Sequence, residues 1–186
     1  MSPLKKASVL LLLLIPAALQ AQAIGKVPCG ARVFSTGFPA SIPDEYFENG
    51  GPKMSKERRE TALECIEWTF GKVKEYEEYW GDCTGEHIFY VKLESGDEIW
   101  FDDGCLGTYH IVSSRFAVGR DHLRGGGLRV GQKLNLKKSR GDWVIHQSER
   151  DPNRYDFSPQ WSDDAAWVEV DENGIIQCIQ TWTNDC

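Results

Sequence analysis

The apolar residues of this chain change their spacing once, and that change fixes the class of fold. From Ala62 the apolar positions are Ala62, Leu63, Ile66, Phe70, Val73, Tyr76 and Trp80, with Glu and Lys between them. Steps of three and four put such residues on one face of a helix. The spacing predicts one main amphipathic helix, with Ser55 as N-cap and Gly81 as stop. Gly71 weakens its middle by about 1 kcal/mol relative to alanine, so a break can occur there.

After Gly81 the period becomes two. His87–Glu94 puts Phe89, Val91 and Leu93 on one side, and Glu98–Asp102 puts Ile99 and Phe101 on the matching side. Ser95-Gly96-Asp97 makes the turn between them, and Tyr90 and Trp100 fall on the opposite face. Further strands are expected over Thr108–Ser113 and Trp143–Gln147, followed by a loop through Asp151-Pro152 and Ser158-Pro159. The chain closes on a hairpin of Trp167–Val170 and Ile175–Thr181, turned at Asn173-Gly174. Asn-Gly is a two-residue turn signal because both positions tolerate positive φ. That pairing puts Val168, Val170, Ile175 and Ile179 on one face. No internal repeat is visible. The expected fold is α+β: one main amphipathic helix packed on a largely antiparallel sheet and stabilised by disulfides.

The start of the chain predicts where it works. Lys5 and Lys6 precede a mostly apolar run, Ala7–Leu19, and Ala21-Gln22-Ala23 supplies small residues at a cleavage site. This is the pattern of a secretory signal peptide. The run is shorter than the roughly 20 residues a membrane span needs. Residues 1–23 are expected to be removed, leaving 24–186 as a single periplasmic or secreted α+β domain, free of the membrane. Residues 24–53, rich in Gly and Pro, read as an extended lead-in tied down by Cys29.

Six cysteines follow the leader: Cys29, Cys65, Cys83, Cys105, Cys178 and Cys186. An even number in an exported chain implies disulfides. The expected pairs are Cys83–Cys105 at a hairpin base, Cys178–Cys186 at the C-terminus and, by remainder, Cys29–Cys65. No CxxC pair or nearby histidine pair suggests zinc, and no metal or cofactor is implied.

Charge narrows the partners. Loss of the leader, which carries two lysines and no acids, takes the net charge from −7 to −9. An acidic surface argues against nucleic acid and anionic membranes and suits a basic partner.

The most site-like stretch is Gly119-Arg-Asp-His-Leu-Arg-Gly-Gly-Gly-Leu-Arg-Val-Gly131. It fails as a phosphate loop, because Gly131 is followed by Gln132-Lys133-Leu134. It fails as a dinucleotide loop, because Gly125 and Gly127 are followed by Val130 where the third glycine is needed. Gly125–Gly127 is expected to turn the chain between two parts of the sheet. The other reading is a loop whose Arg120, Arg124 and Arg129 meet an acidic group on a partner.

Catalysis finds little support. There is no GxSxG, every cysteine has a use in a disulfide, and His87, His110, His122 and His146 are scattered. The adjacent acids Asp102 and Asp103 could serve acid–base work on a glycoside, but neighbours on a strand point to opposite faces. The oxygen-rich turns at Asp151 and Asp171 lack calcium-loop spacing. Of the seven tryptophans, at least four are expected in the core, with Trp100 and Trp161 as the exposed pair available to sugars or protein partners.

The segment Val91-Lys-Leu-Glu-Ser-Gly-Asp-Glu-Ile-Trp100 resembles the strand–Ser-Gly–strand element of bacterial periplasmic lysozyme inhibitors. In those families the Ser-Gly turn enters the lysozyme cleft. The likeness spans ten residues of 186. It departs from that pattern after the glycine, where Ile99 or Trp100 stands for a tyrosine.

The expected role is an inhibitor or immunity protein that binds and neutralises a basic cell-envelope hydrolase or secreted toxin. Its contact residues would be Ser95, Gly96, Asp97, Trp100, Asp102 and Asp103, with Arg120 and Arg124. The alternatives are an envelope hydrolase and a glycan-binding module.

Overall fold

A computed structural model describes residues 22–23, 51–81, 85–102, 105–118, 127–138, 143–159 and 165–182. One helix, α1 (Lys56–Phe70), precedes a run of strands: β2 (Val73–Trp80), β3 (His87–Leu93), β4 (Glu98–Asp102), β5 (Cys105–Ile111), β6 (Phe116–Ala117), β7 (Trp143–Gln147), β8 (Arg154–Pro159), β9 (Ala165–Val170) and β10 (Ile176–Trp182). Eight of them form one antiparallel sheet in the order β2-β3-β4-β5-β10-β9-β8-β7. Two four-stranded meanders thus meet at their last strands, β5 and β10. A short separate pair joins β1 (Gln22–Ala23), on the leader side of the expected cleavage point, to β6 in parallel. The α+β expectation holds, with the sheet dominant.

Ser55 caps α1 as expected, its Oγ accepting from the Arg58 amide at 3.3 Å. The helix stops at Gly71, ten residues before the expected Gly81. Gly71 has φ 110, and a Cβ there would stand 2.0 Å from the Arg115 guanidinium. The following stretch, Val-Lys-Glu-Tyr-Glu-Glu-Tyr-Trp, pairs along its whole length with β3. In that stretch aromatic and β-branched residues at strand positions gain more from a neighbouring ladder than from extending an exposed helix. Val73, Tyr76 and Trp80 therefore belong to a strand.

The core lies on one face of the sheet. Ala62, Ile66 and Phe70 of α1 pack against Phe89, Val91, Ile99 and Phe101, and Phe70 meets the rings of Phe101 and Phe116 at 6.0 and 6.1 Å. Complete burial of such a ring contributes about 2–3 kcal/mol. The second meander adds Ile145, Phe157, Val168, Ile176 and Ile179 to the same core.

Two details of the C-terminal hairpin differ from expectation. A bulge between Ile176 and Cys178 brings Ile176 and Ile179 to the buried face in place of Ile175. The expected loop through Ser158-Pro159 is strand β8, paired on both sides. Pro159 stands at its last position, where an absent amide is tolerated.

Cys65, on the buried face of α1, is disulfide-bonded. Cys178 is free and buried, which overturns its expected pairing with Cys186. β10 runs on to Trp182, carrying the chain about 13 Å past Cys178. Cys178 instead stands opposite Glu169 on the neighbouring strand. Burial, reinforced by that carboxylate, raises the thiol pKa to about 11. Cys29, Cys83 and Cys186 lie outside the described residues.

Candidate binding face

The helix covers one side of the first meander. The other side carries one register line through all eight strands: Glu75, Lys92, Glu98, His110, Gln180, Trp167, Asp156 and His146. Every one of these residues is at least partly exposed, whereas Val91, Ile99, Ile111, Ile179, Val168, Phe157 and Ile145 beside them in sequence are buried. Strand alternation alone produces such a division.

An aromatic cluster stands on this open face. Tyr90 and Trp100 are cross-strand partners with ring centroids 4.9 Å apart and planes inclined at 42°. Tyr79, 40% exposed, stands on the edge strand of the same face. Partial burial raises the Tyr79 and Tyr90 hydroxyl pKa values above the ordinary phenol range, and nearby carboxylates add to the effect. Both are neutral hydrogen-bonding groups at physiological pH. Around them lie Glu75, Glu77, Glu98 and Asp102, with Lys92 as the basic neighbour, its ammonium 2.7 Å from Glu98. That carboxylate raises the Lys92 pKa, while Lys74, 3.0 Å from Glu75, lowers the Glu75 pKa. A second aromatic station sits in the other meander, where the Arg154 guanidinium lies 4.2 Å from the Trp167 ring and Nε donates to Asp156 at 3.0 Å.

The expected contact residues divide. Trp100 and Asp102 lie on the open face, Asp102 with its carboxylate against Gly107. Ser95 is exposed, but its hydroxyl donates to Asp97 at 2.7 Å. Gly96 turns the chain with φ 89. Asp97 is a correction: it is fully buried, and so cannot face a partner. Its carboxylate also accepts from the amides of Val112 and Ser113, each at 2.8 Å, and from the Ser113 hydroxyl at 2.6 Å. A buried carboxylate needs such a set of donors to offset its lost hydration. Asp103, Arg120 and Arg124 lie outside the described residues.

Val118 and Leu128 exchange both backbone hydrogen bonds, at 2.9 and 2.8 Å. The amide of Gly131 and the carbonyl of Gln132 then bond to Ile176 at the head of β10. Residues 119–126 of the glycine-rich stretch, with most of its expected turn, lie outside the described residues. Tryptophan was misjudged: Trp68 is 75% exposed, Trp80, Trp100 and Trp167 are partly exposed, and none of these four is in the core. Trp161 lies outside the described residues.

A cluster with the composition of a catalytic site lies inside the fold. Glu78 Oε1 accepts from the Met54 amide and lies 2.9 Å from His87 Nε2, while Arg59 approaches Oε2 at 3.6 Å. The Glu78 and His87 side chains are 4% and 2% exposed. Closed to substrate, they pin the chain entering α1 onto β2 and β3. Sequence reading missed this cluster because Glu78 was placed on a helix, and a helical Glu78 cannot face His87 across a ladder. Among the described residues no group of three or more His, Cys, Asp and Glu could hold a metal, and no helix is long and apolar enough to cross a membrane. No family model, curated protein or solved structure matches the chain.

Proposed function

We propose that this is an exported, disulfide-stabilised binding protein, an inhibitor or immunity protein. In this reading the open face of the first meander engages a basic cell-envelope hydrolase or secreted toxin. The observation that carries the reading is the aromatic cluster of Tyr79, Tyr90 and Trp100 on one face, with Tyr90 and Trp100 in ring contact and carboxylates around them. Rigid aromatic groups anchor protein interfaces at low entropic cost, and flanking acids steer a basic partner. The tilt between Tyr90 and Trp100 favours a protein surface over the flat platform a sugar ring stacks on. An envelope hydrolase needs an acid in an open cleft; the buried acids Asp97 and Glu78 are enclosed.

The test uses a partner captured from envelope extract and purified. Trp100→Ala should weaken binding by about 2–4 kcal/mol with the denaturation midpoint little changed. Glu77→Lys should act on the association rate, with an effect that fades as salt rises. A partner that binds both variants as tightly as the parent removes this face from the interface. Turnover of cell-wall material by the parent chain would replace the binding reading with the hydrolase.

A further inference from the structure

The strongest surface outside the open face is the free edge of β2 with the groove behind it. β2 begins the sheet and pairs only with β3 among the described residues. On its helix side a groove of about 430 Å³ lies between α1 and β2. Leu63, Val73 and Tyr76 supply its apolar surface, Glu60, Glu64 and Glu67 line it from the helix, and Lys74, paired with Glu75 at 3.0 Å, is its one basic residue. Tyr76 is 45% exposed, and Trp68, one helical turn beyond Glu64, is 75% exposed.

We infer that this edge accepts an extended basic segment of another protein as an added antiparallel strand. Three features converge on that occupant. An unpaired edge offers backbone donors and acceptors to an incoming strand. Every second side chain of such a strand would point into the groove. There a long aliphatic stem can lie on Leu63, Val73 and Tyr76 while its charged head reaches a glutamate, which is the way arginine and lysine cover apolar surface. The intervening side chains would point to the open-face side, where β2 presents Glu75 and Glu77. Acids on both sides of the edge select against an acidic strand. They also select against a second β2, whose eight residues carry three acids and one lysine. The groove is separate from the aromatic cluster, and the two surfaces share Glu75 and Glu77 of β2, so groove variants and Trp100→Ala test this inference apart from the function proposed above.

The probe is a labelled peptide of about nine residues alternating Arg and Thr, long enough to span the edge. Its binding to the purified chain is measured by fluorescence anisotropy. The parent should bind it and slow hydrogen exchange at β2 amides. Glu60→Lys with Glu64→Lys should lower affinity about tenfold, since both replaced groups are exposed and each pair is weak. Trp100→Ala should leave this affinity unchanged. The idea is overturned if no binding occurs, or if a Glu–Thr peptide binds equally well. Equal binding by a peptide N-methylated along its bonding edge also overturns it, since strand pairing would then play no part. Loss of binding in Trp100→Ala alone would move the peptide to the open face. Self-association abolished by a charge change in β2 would give the edge to a second copy of this chain instead.

Discussion

Two hairpin turns in the two meanders share one backbone and differ in what their aspartate does. The β3–β4 connection reads Leu93-Glu-Ser-Gly-Asp97, and the β9–β10 connection reads Asp171-Glu-Asn-Gly-Ile175. In the first, the Leu93 amide donates to Asp97 O at 2.8 Å and the Gly96 amide to Leu93 O at 3.0 Å. In the second, Asp171 donates to Ile175 O and Gly174 to Asp171 O, both at 2.9 Å. Each is a three-residue loop closed by a glycine at positive φ, 89° in one and 74° in the other. Asp171 stands before its turn and serves it locally, Oδ1 accepting from the amides of Asn173 and Ile175. Asp97 stands after its turn and reaches across to Val112 and Ser113 at the end of β5. Moving one carboxylate from the first to the last position of the same turn converts a local cap into a tertiary clamp. The clamped meander is the one that carries the aromatic cluster, so the candidate binding face rests on a turn held by a tertiary contact.

The largest effect that could break this comparison is the loss of each acid. Asp97→Ala should destabilise by about 3–5 kcal/mol, because buried amides and two hydroxyls lose a charged acceptor. Asp171→Ala should cost about 1 kcal/mol, since water can replace a partly exposed cap. Urea denaturation of both variants measures the difference. Equal losses would mean that burial of the carboxylate is not what separates the two turns.

The glycines sharpen the comparison at intermediate scale. Gly174→Val should cost about 1–3 kcal/mol through positive φ alone. A Cβ there finds only a lysine carbon at 4.0 Å. At Gly96 a Cβ would also stand 3.2 Å from Val112 Cγ2, on the segment the clamp holds in place. Gly96→Val should therefore cost about 1 kcal/mol more than Gly174→Val. The same denaturation midpoint for both would show that Val112 moves aside and the clamp is looser than its hydrogen bonds imply.

These particulars explain what could be read from the sequence. The register of β3 and β4 followed from simple alternation, so Tyr90 and Trp100 were correctly put together on the outer face. The C-terminal hairpin followed from Asn173-Gly174, although its loop closes on one residue more than the expected two. β2 was misread because Val73, Tyr76 and Trp80 satisfy a helical period as well as a strand period; Gly71 and the ladder with β3 decided between them. Asp97 was misread for a different reason. A turn tip is ordinarily wet, and only the long-range arrival of Ser113 reveals that this one is covered. The Glu78–His87 cluster depends on cross-strand pairing, which no local pattern encodes.

The smallest expected effect lies where the meanders join. Tyr109 of β5 and Cys178 of β10 both belong to this seam, and the Tyr109 amide donates to Thr181 Oγ1 of β10 at 2.9 Å. Burial raises the Tyr109 hydroxyl pKa, and burial beside Glu169 raises the Cys178 thiol to about 11. Each group holds its proton more tightly in the folded chain than in the unfolded one. Their stabilising contribution is thus complete below the unfolded values and shrinks as pH rises through them. For Cys178 the decline begins near the ordinary thiol value of 9.0 and ends near 11. Urea midpoints compared at about pH 8 and about pH 10.5 should fall modestly in the parent, and by less in Cys178→Ala, which lacks the thiol. The Asp97 clamp contains neither a thiol nor a phenol, so the difference between Asp97→Ala and parent should stay constant across this window. A parent whose stability is flat to about pH 10.5 would show that both groups ionise without opening the seam. The junction of the meanders would then be the tolerant part of the sheet, and the clamped turn alone would set its rigidity.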